Sequence, residues 1–192
     1  MKKYWALGLS ALLAVGLAAC GDDKAEPKTD AAETSAAEDK EAAAAEQTIT
    51  YLGEEYTLPG KVETIVAASL ESMEDAAILG VKPAGVLSIG DAVPSYLESE
   101  LSGAALIGDK REPNKEAILA LNPDVILGSS KYKEEVAADL NKIQTTIPYS
   151  HISTNWKQNL ELLGQLTGKE DEAKTIISDY EKKASGAKEK LS

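Results

Sequence analysis

The chain has 192 residues, of which 32 are acidic, 20 basic, one His and one Cys, with no Phe. That length fits one domain, or one domain with a tail, and a hydrophobic fraction of 43% can build a core. A net charge of −12 excludes the basic face that nucleic-acid binding needs, and single Cys and His residues exclude a disulfide framework, a Cys-rich cluster and a multi-His metal centre.

Lys2 and Lys3 open the chain, and residues 5–19 are uncharged and mostly apolar. A basic start before a short apolar stretch predicts an export signal over residues 1–19, too short to span a bilayer comfortably. It ends in Leu17-Ala18-Ala19-Cys20-Gly21. Residues 21–46 hold nine Ala, nine acidic residues and three Lys, with no aromatic and no Val, Ile or Leu. Such a segment cannot bury a core, which predicts a solvated tether over residues 20–46.

Residues 48–58 show two alternating runs about Gly53-Glu54, a hairpin pattern. Five short apolar runs follow, near residues 64–67, 85–88, 105–107, 124–128 and 146–149. Helical segments are predicted at 70–79 with Gly80 closing it, at 94–101, at 113–121 with Pro113 in its first turn, and at 131–143. Another runs to Thr167 from a cap at Ser153 or Thr154. A last helix begins near Lys169, with Ala173, Ile176, Ile177, Tyr180, Ala184, Ala187 and Leu191 on one face.

Continuous apolar strands alternating with helices predict an α/β fold, a mostly parallel five-stranded sheet covered on both faces, plus the small hairpin. The body is expected to be one lobe over residues 47–168. The final helix, 169–192, would be about 35 Å long, more than such a lobe needs, so a second lobe absent from this sequence is expected to follow. In parallel sheets ligands sit at the carboxyl ends of strands. That directs attention to residues 68–69, 88–91, 108–114, 129–133 and 150–153.

These residues carry a resemblance. Leu17 to Gly21 resembles the lipobox of bacterial lipoproteins, which implies that Cys20 is lipidated and anchors the chain to a membrane surface. The order of lipobox, acidic tether, hairpin, βα units and long helix resembles the first lobe of a family of ABC-importer binding proteins. These take up ferric siderophores, haem and cobalamin. Leu119-Ala120-Leu121-Asn122-Pro123-Asp124-Val125-Ile126-Leu127 and Gly108-Asp109-Lys110-Arg111-Glu112-Pro113-Asn114 resemble its local strings. Within the family, residues 71–76, 145–148, 150–153, 155–157 and 165–170 resemble the ferric-catecholate binders of Gram-positive bacilli, whose ligands include ferric bacillibactin.

The resemblance implies an extracytoplasmic, monomeric, lipid-anchored protein that is not an enzyme. It would carry a ferric siderophore to permease subunits, with no cofactor and with the iron held by the siderophore. No Gly-x-Ser-x-Gly, Gly-x-Gly-x-x-Gly or Walker loop occurs to suggest otherwise.

Lys110, Arg111 and Lys131 fall in the loops after the third and fourth strands, a local reversal of charge in an acidic chain. A ferric tris-catecholate carries three negative charges, and ammonium and guanidinium groups suit it by charge and by cation–π contact. Solvated loop ends are the plain alternative. The resemblance matches Lys110 and Lys131 to basic positions but places Ala92 where the relatives carry a binding lysine. That departure leaves a hydroxamate or citrate siderophore open. Ser88 and His151 are further candidates to line the cleft, although a His after a strand more often bonds to backbone. Glu74 is implied to dock on a permease arginine, the plain alternative being an acid stabilising the helix dipole. A surface lipoprotein with no transport role is the remaining alternative.

Overall fold

The computed structural model describes residues 45–191. The expected export signal, Cys20 and the tether up to residue 44 lie outside the described residues. Among the described residues no helix is long and apolar enough to cross a membrane.

The hairpin comprises β1 (Glu46–Tyr51) and β2 (Glu54–Pro59), antiparallel with Ile49 opposite Tyr56. Its turn lies one residue earlier than the sequence suggested. Leu52 and Gly53 both take positive φ, 51° and 92°, the twist that suits a tight hairpin.

The main sheet contains β3 (Ile65–Ala68), β4 (Gly85–Ser88), β5 (Ala105–Asp109), β6 (Glu112–Pro113), β7 (Val125–Ser129) and β8 (Thr146–Tyr149). The spatial order is β6-β5-β4-β3-β7-β8. The five expected strands pair in parallel. A sixth, two-residue strand, β6, pairs antiparallel with β5 at the edge. Every residue of β3 and β4 is buried, as expected of strands covered on both faces.

Helix α1 (Leu70–Leu79) follows β3. Ser69 caps it, accepting from the Ser72 N–H at 3.1 Å, while Ser72 Oγ accepts from the Ser69 N–H. Gly80, at φ 63°, closes it in the left-handed conformation. Ser72, Met73, Ala76 and Leu79 form its buried face, which turns Glu74 and Ile78 outward.

Helices α2 (Lys115–Ala120) and α3 (Glu134–Asn141) precede β7 and β8. Both are shorter than expected. Pro113 belongs to β6, and Asn114 caps α2 by accepting from the Ala117 N–H. Residues 131–133 are not helical. The segment 94–101 forms turns instead of a helix; buried Leu97 and Leu101, four apart, imitate helical spacing.

After β8 a 3-10 turn (Ser153–Asn155) leads into α4 (Trp156–Thr167), with no side-chain cap from Ser153 or Thr154. Helix α5 (Glu170–Leu191) packs against α4 through buried Ala173 and Ile177. Right-handed crossovers place α1 on one face of the sheet and α2 and α3 on the other, and α4, which follows the last strand, packs against α1.

Candidate functional site

Strand β3 starts the sheet. The chain first builds toward β4 and β5, then crosses back to add β7 and β8 on the other side. The loops after β3 and β7 therefore leave the sheet in opposite senses and open a crevice between them. Glu71, in the first turn of α1, and Lys131, just after β7, stand across that crevice with Oε1 and Nζ 3.9 Å apart.

Lys110 and Arg111 form the two-residue connection between β5 and β6, since Asp109 pairs with Glu112. The Arg111 backbone N–H and its Nε both donate to Asp109 Oδ1 at 3.0 Å. Those bonds hold the Asp109 carboxyl below the usual carboxylate range. Lys110 is exposed and makes no ion pair among the described residues. Two of the three candidate cations are thus already matched with a carboxylate of their own rim.

Tyr132 shows that these loops converge. Its hydroxyl donates to the Ala68 carbonyl at 2.5 Å, joining the ends of β7 and β3. Burial pushes its pKa up, and the charges of Asp109 and Glu71 push it further. One phenol therefore feels the carboxylates of both the β5 loop and the start of α1.

His151 meets Ser130 from the neighbouring loop. Ser130 Oγ lies 2.8 Å from His151 Nδ1 and accepts the His151 backbone N–H at 3.1 Å. The ring thus meets a side-chain hydroxyl of the β7 loop, 21 residues away, where a bond to neighbouring backbone was the expected alternative, and His151 remains partly exposed. Ser88 is buried, and its hydroxyl donates to the Gly108 carbonyl at 3.1 Å, stitching β4 to β5. It belongs to the sheet more than to the open edge. Ala92 lies in the exposed loop after β4.

Glu74 points away from the sheet on α1 and accepts from the Tyr96 hydroxyl at 2.6 Å. This bond to a carboxylate pushes the Tyr96 pKa up to about 12. It stands outside the cation cluster, on a separate face.

Beneath the β8 loop is a buried polar network. The Tyr149 hydroxyl lies 2.7 Å from both Asp75 Oδ2 and the Asn159 carbonyl. The Tyr51 hydroxyl donates to Asn159 Oδ1 at 2.5 Å and accepts the Ser150 N–H at 2.8 Å. Asn159 Nδ2 donates to the Ser150 carbonyl at 2.8 Å. Burial pushes the Asp75 carboxyl up to about 7, against the opposing pull of the Tyr149 bond.

Sequence reasoning did not select Asp109, Tyr132 or Tyr96, and it mentioned Glu71 and Asp75 only as neighbours of Glu74. Asp109 lies two residues from Arg111, so that pairing had a local signal. The others meet partners far away in the chain. Among the described residues no group of three His, Cys, Asp or Glu side chains is placed to hold a metal ion.

A family model described as "periplasmic binding protein" matches residues 65–192. The Iron-uptake system-binding protein of Bacillus subtilis (strain 168) is 42% identical over 192 residues, covering all of this chain and 58% of that protein. The Probable siderophore-binding lipoprotein YfiY of the same organism is 31% identical over 194 residues, covering 57% of it. Among solved structures, the triscatecholate siderophore binding protein FeuA from Bacillus subtilis, complexed with ferri-bacillibactin, superposes with a TM-score of 0.72 at 44% identity. That match covers 75% of this chain and 51% of FeuA. Staphylococcus aureus SirA, complexed with staphyloferrin B, gives 0.64 at 28% identity, covering 72% of this chain and 48% of SirA. The chain thus spans about half the length of the relatives it matches. With the α/β lobe, its crevice and the family match in agreement, this chain belongs to the periplasmic binding protein family.

Proposed function

We propose that this chain forms one lobe of an extracytoplasmic solute-binding lipoprotein. That protein captures a ferric siderophore, a catecholate such as bacillibactin by preference, and delivers it to an ABC importer. The carrying observation is the gathering of Lys110, Arg111 and Lys131 at the carboxyl edge of one sheet in a chain of net charge −12. A relative whose fold this lobe shares, FeuA, was solved with ferri-bacillibactin, which supports the same ligand class here.

In this reading the siderophore fills the iron's coordination shell, so the protein needs no metal ligand or cofactor of its own. Lys110, Arg111 and Lys131 meet the catecholate charge, with His151 and Ser88 at the margins. At about 4 Å a charge pair contributes on the order of 4 kcal/mol at an effective dielectric near 20, so few cations suffice to orient the ligand. The facing half of the cleft comes from a second lobe, joined through α5. Closure of the lobes on ligand presents Glu74 to a permease arginine, a contact that aids register and on-rate. Cys20, lipidated, holds the monomeric protein at the membrane surface. Ala92 favours a second reading, in which the ligand is a less charged hydroxamate or citrate complex; haem and cobalamin belong to the same alternative.

The test is quenching of Trp fluorescence in two proteins beginning after Cys20: this sequence, in which Trp156 is then the one Trp, and one extended through the second lobe, whose response decides. The titrants are ferric bacillibactin, a neutral ferric hydroxamate and both iron-free siderophores. Saturable quenching by the ferric catecholate is the expected result. Preference for the hydroxamate overturns the catecholate assignment. Silence toward every ferric complex overturns transport and leaves a surface lipoprotein of other role.

A further inference from the structure

We infer that Glu71 is a specificity-determining residue, a built-in counter-anion that holds Lys131 until an anionic ligand with enough further contacts of its own displaces it. This rests on the ferric-siderophore reading above and deepens it. The observations concern the crevice beside β3. Glu71 Oε1 is 3.9 Å from Lys131 Nζ, and the two belong to elements on opposite sides of the crevice. The Glu71 side chain is 28% exposed and that of Lys131 61%, so the lysine can swing out while the carboxylate stays. Tyr132, whose hydroxyl donates to the Ala68 carbonyl just ahead of α1, has its pKa raised by burial and by the charges of both Asp109 and Glu71.

The resting rim is therefore close to neutral. Arg111 is matched by Asp109 and Lys131 by Glu71, while Lys110 makes no ion pair among the described residues, although its charge also acts on Asp109. An incoming anion has to take Lys131 from Glu71, and Glu71 then remains beside the ligand with no partner. Its repulsion offsets much of the attraction of the freed lysine for any anion, so charge alone does not complete the exchange. A small or weakly held anion gains too little to make the exchange. A ferric tris-catecholate adds ring faces for cation–π contact and three charges shared among several cations, so it completes it.

Charge distinguishes this role from a purely structural one. Glu71→Gln keeps the shape and the helix position but removes the carboxylate's charge. In the full-length protein it is expected to tighten ferric bacillibactin, read by Trp quenching at low salt, by about three- to tenfold. The gain shrinks at high salt, where exposed charges are screened. Ferric citrate, an anion without catechol rings, gains more than the catecholate does in the variant, and a neutral ferric trihydroxamate binds the variant and the wild type alike. Glu63→Gln makes the same charge change at the amino-terminal end of β3, where Glu63 pairs with Lys61, and leaves both affinities unchanged. Thermal melting of each variant reports whether the fold is kept.

Weaker catecholate binding by Glu71→Gln overturns the inference, because Glu71 would then position Lys131 for the ligand. Unchanged binding, or equal tightening toward the neutral complex or in Glu63→Gln, overturns it as well. In each of those cases wild-type binding of the ferric catecholate leaves the transport reading standing. Wild-type silence toward every ferric complex overturns both.

Discussion

The hydroxyl of Tyr149 lies 2.7 Å from the Asp75 carboxylate, and the same hydroxyl is 2.7 Å from the Asn159 carbonyl. A phenol has one proton and cannot donate to both. If Asp75 carries a proton, it donates to Tyr149 and Tyr149 donates to Asn159, so every group is satisfied. That arrangement agrees with a carboxyl pushed up to about 7 by burial, with Glu71 and Glu74 adding like charge.

Stability follows from this. Asp75 binds its proton more tightly folded than unfolded, where a carboxyl titrates near 4. Its contribution is full below about pH 4, falls as pH rises toward 7 and is flat above. Asp75→Asn is expected to remove most of that slope, on the order of 2–4 kcal/mol between pH 4 and 8. Urea midpoints of wild type and variant at those two pH values measure it. Parallel pH profiles would show that Asp75 titrates normally.

Tyr51→Phe should cost about 1–3 kcal/mol, because it leaves the Ser150 N–H and the Asn159 amide oxygen buried without the partner they now share. Denaturant unfolding reads the loss. A change within error would mean that water replaces the phenol.

The three candidate cations are not equal. Lys110 has no ion-pair partner among the described residues, whereas Arg111 is bound to Asp109. Lys110→Ala should therefore weaken ferric bacillibactin by about tenfold at low salt, and Arg111→Ala by about two- to threefold. Both effects diminish at high ionic strength. The reverse ranking, read from the same quenching titration, would assign the guanidinium the leading role.

On the α1 face, Glu74→Ala and Tyr96→Phe remove one exposed hydrogen bond and should each alter the melting temperature by only about 1–3 °C. Uptake of radioiron by cells carrying the importer should fall at least tenfold for Glu74→Ala and less for Tyr96→Phe, with ferric-siderophore affinity unchanged. Full uptake by Glu74→Ala would remove that residue from the docking contact.

The strands were legible because each is a short apolar run buried on both faces, and the end of α1 was legible in Gly80. Strand β6 was not, since two residues carry no periodicity. Leu97 and Leu101 suggested a helix because burial at spacing four has the same signature in a folded-back turn. The start of α3 was misplaced because Tyr132 turns inward to Ala68, a partner 64 residues away. The basic edge was legible as a set of loops after strands. Its charge balance was not, because Glu71 and Lys131 are neighbours only once β3 and β7 pair.

Helix α5 is a beam clamped at one end. Gly164 lets α4 approach so closely that a methyl group there would stand 3.1 Å from the Ala173 side chain. The Trp156–Tyr180 edge contact and the Lys157–Glu181 pair extend the grip. Past Glu181 the helix continues for ten more residues, about 15 Å of rod. Over the full 22 residues, about 33 Å, a tilt of about 5° at the clamp carries the far end about 3 Å. The angular precision of anything attached there is set where Gly164 meets Ala173, and replacing that glycine with a bulkier residue would steer the tip without touching it.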